Sequence, residues 1–171
     1  MKNRVTRAGL MLLVVALLLS LFGCGKPAAR YFSYLDAPFC ATLTGKIDGL
    51  AFAATLDSEG REEVGTPPTA TLTFSAPLSL AGIKVCFYPE TGWKTSLGDL
   101  QGASGGEGMG QVAALLLTER SVSGTRREAG CVILTLDGGV TLYLDEQTNR
   151  PTKVTYAGDG RMIEVAVVEW E

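Results

Sequence analysis

Few side chains in this sequence are equipped for chemistry. Four cysteines stand at positions 24, 40, 86 and 131, and there is no histidine. Ser–His–Asp triads and Cys–His dyads are therefore absent. Histidine-based metal centres are absent too, and no CxxC pair of thiols takes their place. No GxSxG elbow and no P-loop occur. Glu62-Glu63 and Asp145-Glu146 supply adjacent carboxylates. An acid–base pair must converge on one bond, usually from separate elements, whereas neighbours along a strand point to opposite faces. These carboxylates read as solvated surface. GEGMG at 106–110 lacks the Lys-Ser/Thr of a phosphate loop and a buried strand before it, and reads as a connector. DEQTNR at 145–150 offers Asp145, Gln147 and Asn149 as oxygen ligands, without the glycine and distal Glu of a calcium loop. No metal or cofactor set is expected, and binding is a better expectation than catalysis.

The elements that would position these groups are mostly strands. Leu50, Phe52, Ala54 and Leu56 share one face of LAFAATLD, and Asp48-Gly49 separates that run from CATLTGKI. Asp-Gly between two alternating runs signals a hairpin. TATLTFS puts Ala70, Leu72 and Phe74 on one side and threonines on the other. IKVCFY repeats the pattern through Ile83, Val85 and Phe87, and PETG turns into WKTSL. Residues 98–110 are glycine-rich; Met109, Val112, Ala113 and Leu116 then follow helical spacing, predicting one helix near 108–119. In the C-terminal third, Asp137-Gly138-Gly139 and Gly158-Asp159-Gly160 mark two more hairpins. The expected class is α+β, mainly β: a curved antiparallel sheet, an incomplete barrel, of about seven to nine strands with one or more helices on its concave side. Phe52, Leu72, Phe74, Val85 and Phe87 on the strands, with Val112 and Leu116 on the helix, are the candidate lining of an apolar ligand cavity. A filled core uses the same residues. Leu78, Leu80 and Trp93 read as loop anchors. Cys40, Cys86 and Cys131 read as buried free thiols, with one disulfide among them left open, since three thiols cannot all pair.

The first 23 residues are laid out differently. Lys2, Arg4 and Arg7 precede an apolar run from Ala8 to Phe22. That is the order of a secretory signal. As helix the run spans about 22 Å, short for a hydrocarbon core of about 30 Å. Leu21-Phe22-Gly23-Cys24 resembles the lipobox of bacterial lipoproteins, with Phe22 where a small residue is usual. The resemblance implies that residues 1–23 are removed and that the Cys24 sulfur carries a diacylglycerol, often joined by an N-terminal palmitate or similar chain. Two or more chains are what stable anchoring takes. Residues 24–35 then read as a tether, with Tyr31, Phe32 and Tyr34 the first to dock on a domain spanning 36–171. The alternatives are an uncleaved membrane helix over 8–25 and a soluble protein with a buried Cys24.

Removing residues 1–23 takes three of the 15 basic residues and none of the 18 acidic ones, moving the net charge from −3 to −6. An acidic surface disfavours nucleic acid as a partner. The order of hairpins, helix and strands also resembles the LolA/LolB-like lipoprotein carriers, most specifically in YLDEQTNRPTKV at 143–154. That resemblance implies a strongly curved, incomplete barrel and a lipid, lipoprotein or other envelope component as ligand, without assigning individual residues. The expected protein is a lipid-anchored module on the extracytoplasmic face of a cell membrane. A structural or assembly lipoprotein binding a protein partner is the second reading, and a carboxylate-based hydrolase of envelope polymers the third. Radiolabelled palmitate should enter the protein and be lost in Cys24→Ala; label surviving in the variant would overturn the lipobox reading.

Overall fold

The structure is a computed structural model, and it describes residues 28–98, 100–102 and 109–171. A 3-10 helix, Ala28–Leu35, opens the described chain. The strands are β1 (Phe39–Ile47), β2 (Leu50–Ser58), β3 (Ala70–Ala76), β4 (Ile83–Tyr88), β5 (Gly92–Leu97), β6 (Leu100–Gly102), β7 (Val122–Glu128), β8 (Cys131–Leu136), β9 (Val140–Asp145), β10 (Pro151–Gly158) and β11 (Arg161–Trp170). One α-helix, α1 (Gly110–Leu117), interrupts them. All eleven strands form a single sheet in the order β6-β5-β4-β3-β2-β1-β11-β10-β9-β8-β7, and every pairing is antiparallel. β6 and β7 do not meet, so the barrel is incomplete, in the class the patterning predicts.

The turn chemistry acts as the hairpin signals require. Asp48 and Gly49 have φ of 51° and 87°, Gly138 and Gly139 of 78° and 77°, Asp159 and Gly160 of 52° and 73°. Positive φ at both central residues matches the twist of the flanking strands. Alternation then sorts the faces. Phe39, Ala41 and Leu43 on β1, Phe52, Ala54 and Leu56 on β2, and Val140, Leu142 and Leu144 on β9 are buried, with the residues between them open to solvent in part or wholly.

Four strands separate β4 from β10 in the sheet, yet α1 touches both. In a flat sheet they would lie about 24 Å apart. The sheet therefore wraps the helix, and Val112, Ala113, Leu115, Leu116 and Leu117 are all buried inside it. Glycine at position 110 has a packing reason. A Cβ there would stand 2.8 Å from the Trp93 ring. Gly45 serves the same purpose on β1, where a Cβ would collide with the Glu164 carbonyl and the Phe52 ring.

Three expectations change. Among the described residues the strands number eleven, more than the seven to nine expected, because a three-residue β6 and a polar β7 carry little apolar alternation. The helix is shorter than 108–119. Of the stretch 24–35 expected as tether, residues 28–35 are a docked helix, with Phe32 and Leu35 fully buried. Their aromatic and aliphatic side chains outweigh the weak helix signal. No helix among the described residues is long and apolar enough to cross a membrane. Phe32→Ala should cost about 3–5 kcal/mol in a urea titration, as for other buried aromatics. A loss below about 1 kcal/mol would show that the 3-10 helix is not part of the core.

Candidate binding site

The two ends of the wrapped sheet differ in chemistry. At the end where β1 begins, polar contacts close the fold. The Arg61 guanidinium, 3% exposed, donates from Nε to Asp36 Oδ1 at 2.7 Å and from Nη1 to Glu119 Oε2 at 2.8 Å. Its backbone N–H donates to the Leu35 carbonyl at 2.7 Å. One residue thus joins the 3-10 helix, the β2–β3 loop and the residues just after α1. Tyr34 donates its hydroxyl to the Leu116 carbonyl at 2.7 Å, and burial pushes its phenol well above the usual range. On the other side of the 3-10 helix, Asn149 Nδ2 donates to the Arg30 carbonyl and to Ser33 Oγ, each at 3.0 Å. Trp170 stacks on Phe39 with ring centroids 4.4 Å apart.

The concave interior holds the candidate lining residues. Phe52, Leu72, Phe74, Val85, Val112 and Leu116 are brought together in one buried cluster. Phe52 and Phe74 meet edge to face at 5.8 Å. Phe87 is only half-buried and lies against Trp93, centroids 4.8 Å apart. Leu80 and Trp93 pack on the core as anchors. Cys24 lies outside the described residues.

The opposite end is open and aliphatic. Leu50 is 77% exposed, Leu78 96%, Leu97 50% and Leu100 75%. Leu50 continues the inward row of Phe52, Ala54 and Leu56. Leu97 pairs with Ile83 and with Leu100, on the same inward face as Val85. Leu78 sits in the adjoining β3–β4 loop, so it is not the anchor its sequence context suggests. These four leucines form an exposed rim along the strand ends of β2 to β6. On the β1–β11 side the same rim is polar. The Asp48 carboxylate accepts the Met162 N–H at 2.9 Å and Arg161 Nε at 3.3 Å, and these bonds hold it below the usual carboxylate range. Arg161 Nη1 reaches Gln111 Oε1 at 3.3 Å, tying the start of α1 to this edge.

The carboxylate and thiol candidates lie elsewhere. Asp145 Oδ1 accepts the Thr148 N–H at 2.8 Å, its hydroxyl at 2.9 Å and the Gln147 N–H at 3.1 Å, so DEQTNR is a self-bonded turn and the acid is lowered by those bonds. Cys40, Cys86 and Cys131 are free and half-buried on outward-facing strand positions, not buried as expected. The register places Cys40, Asp57, Thr71 and Cys86 in one cross-strand row on β1 to β4. Three strand spacings, about 14 Å, keep the two thiols from bonding. Cys40 borders a cleft of about 360 Å³ with Asp57, Thr71 and Glu171. Desolvation first, and then its hydrogen bond to Asp57, push its thiol up to about 11. A second cleft, of about 470 Å³, lies between the β2–β3 loop and the β4–β5 turn, lined by Glu59, Glu62, Pro67, Tyr88, Glu90 and Lys94. It lies outside the buried apolar cluster.

No family model matches the chain, and no curated protein matches it. Solved structures share its fold. A conserved protein from Thermus thermophilus aligns over 85% of each chain at 15% identity with a TM-score of 0.53. MucB aligns at 14% identity with a TM-score of 0.50 over 84% of this chain, which spans 57% of that one. A LolA-superfamily protein from Nitrosomonas europaea aligns over 85% of this chain and 92% of its own, at 9% identity and a TM-score of 0.44. Likeness at such identity is likeness of fold.

With its thiol held protonated, Cys40 should react with iodoacetamide at a rate that keeps climbing towards pH 11. Asp57→Asn removes a negative neighbour, so the thiolate forms at lower pH and the rate at pH 8 rises several-fold. An unchanged pH profile in the variant would remove the carboxylate from this account.

Proposed function

We propose that this protein is a noncatalytic binding module of a bacterial envelope. Acylated Cys24 anchors it, and the leucine rim of its concave face receives an aliphatic chain of a lipid or lipoprotein. The observation that carries this reading is the rim itself. Four leucines, each at least half exposed, stand on or beside inward-facing positions at the ends of β2, β5 and β6 and in the β3–β4 loop. Grouped exposed apolar side chains of that kind mark an interaction site. The four rim residues themselves are all aliphatic, which suits a hydrocarbon chain. In this reading Phe52, Leu72, Phe74, Val85, Phe87, Val112 and Leu116 form the apolar floor behind the mouth. The likeness of fold to MucB and the Thermus protein supports a curved sheet as the scaffold. The extracytoplasmic location rests on the signal-like N-terminus.

A protein partner is the second reading, favoured by β7. That strand has seven residues and is hydrogen-bonded on one side only, which gives an extended segment a place to add.

The chain from residue 24 onward, carrying Cys24→Ser, should bind a fluorescent fatty acid. Leu78→Glu with Leu100→Glu should weaken that binding by about tenfold or more, about 1.4 kcal/mol. The urea midpoint should hold, because both side chains already lie in water. Unchanged affinity in the double variant would overturn the rim as the mouth.

A further inference from the structure

The cleft of about 470 Å³ between the β2–β3 loop and the β4–β5 turn shares no residue with the buried cluster's interior or with the leucine rim. Its volume lies in the range of ligand pockets, roughly 300–1,000 Å³. Its two walls come from separate elements. Pro67 and Pro68 stand on the loop side, and Tyr88 and Pro89 on the other. Proline rings and a phenol make stiff, mostly apolar surfaces. The loop wall is also held from behind. The Glu59 N–H donates to the Thr69 carbonyl at 3.0 Å and the Arg61 N–H to the Leu35 carbonyl at 2.7 Å. The Arg61 guanidinium is gripped by Asp36 and Glu119.

The charges of the lining are unbalanced. Glu59 and Glu62 line the cleft from the loop and Glu90 from the turn, against one cation, Lys94. Among the described residues, none of the three carboxylates enters an ion pair or a side-chain hydrogen bond. Lys94 is engaged elsewhere: its ammonium lies over the Tyr88 ring, 5.1 Å from the centroid. The two are diagonal neighbours on the outward face, since Lys94 pairs with Cys86. Three negative charges against one positive leave the lining at −2. A cleft of one sign between low-dielectric walls focuses its field on what enters.

We propose that this cleft binds an organic cation, an ammonium or guanidinium carried on an apolar stem. The carboxylates set the sign of the charge, and the proline and tyrosine walls receive the stem. A bare metal ion needs ligands that converge, and among the described residues no three Cys, Asp or Glu side chains come together to hold one. A cation with its own apolar body has no such requirement, and Tyr88 offers it a ring face of the kind that already takes Lys94. Lys94 is then the cleft's built-in competitor: it occupies the ring and repels the incoming charge.

The full chain in nonionic detergent is titrated calorimetrically with N-acetyl-arginine amide and with N-acetyl-citrulline amide, its uncharged counterpart of nearly equal size. The arginine amide should bind about tenfold more tightly or better. Equal binding, or no binding of either, would overturn the proposal. Glu62→Gln with Glu90→Gln should weaken the arginine amide by about tenfold or more, and Lys94→Met should strengthen it about fivefold, the worth of a unit charge about 4 Å away in water. All three positions are exposed, so the urea midpoint should hold. A double variant that binds like the parent would take the carboxylates out of the site and the proposal with them. Raising the salt from about 0.01 M to about 1 M, which shortens the screening length from about 30 Å to about 3 Å, should abolish the preference for the charged probe. Magnesium at matched ionic strength should not displace the arginine amide; displacement would make this a metal site and overturn the organic cation. Agmatine and an N-acetylated, amidated Gly-Arg-Arg-Gly peptide separate the sources. Tighter agmatine assigns the cleft to a free amine, a tighter peptide assigns it to a basic segment of a protein, and both uphold the site.

Discussion

A single two-turn helix has to serve an eleven-stranded sheet, and most of the architecture follows from that mismatch. Eight helical residues are about 12 Å long. The ten residues of β11 extend about 30 Å. Each strand nevertheless presents an apolar row that must leave water. The sheet meets this demand by curling until β4 and β10 both touch the helix. Curling brings strands to the helix sideways; it does not lengthen the helix along them. Leu50, Leu97 and Leu100 are inward-facing positions at strand ends that stay exposed.

Why the uncovered end is this one is a matter of connectivity. The 3-10 helix precedes β1 directly, so it packs where β1 begins and adds Phe32 and Leu35 to that end of the core. It brings polar groups that need partners. Arg61 supplies them: its backbone N–H donates to the Leu35 carbonyl, and burial of its guanidinium is tolerated because the Asp36 and Glu119 carboxylates accept from it. A buried charge of this kind costs several kcal/mol when its partners go, so the closed end has little freedom to open. Among the described residues no comparable element stands at the other end, where the connections are short turns and the β3–β4 loop. The domain is thus closed by polar contacts at one pole and exposes leucines along β2 to β6 at the other.

Much of this was legible in the sequence, and the gaps have physical causes. Asp48-Gly49, Gly138-Gly139 and Asp159-Gly160 announced hairpins because few residues accept positive φ at both positions. The turn before β8 hid itself, since Ala129 adopts φ of 49° where Asn or Asp is usual. β7 hid for another reason: an edge strand with solvent on most sides needs no alternating apolar row, and VSGTRRE has none. The buried cluster of Phe52, Leu72, Phe74, Val85, Val112 and Leu116 followed from period-two and helical spacing. Phe87 was read into it, but lies half-buried at the margin, where the sheet runs past the helix. The rim was not legible. Leu50 looks the same in sequence as Phe52, two positions on, yet it stands beside the β1–β2 turn at 77% exposure while Phe52 is 5% exposed.

The thiols bear on the same question from the outer face. Three cysteines on outward strand positions would be a liability in an oxidising compartment if they were reactive and near one another. The register keeps Cys40 and Cys86 three strands apart, with Asp57 and Thr71 between them. Cys131 lies on β8, on the far side of the β1–β11 pairing. Cys40 stands among Asp57, Glu169 and Glu171, whose charges oppose thiolate formation after burial has already done so. Thiolate is the form that attacks and oxidises, so the environment suppresses the one nucleophile best placed for chemistry. The outer face thus quiets its cysteine, while the inner face exposes leucines at one end.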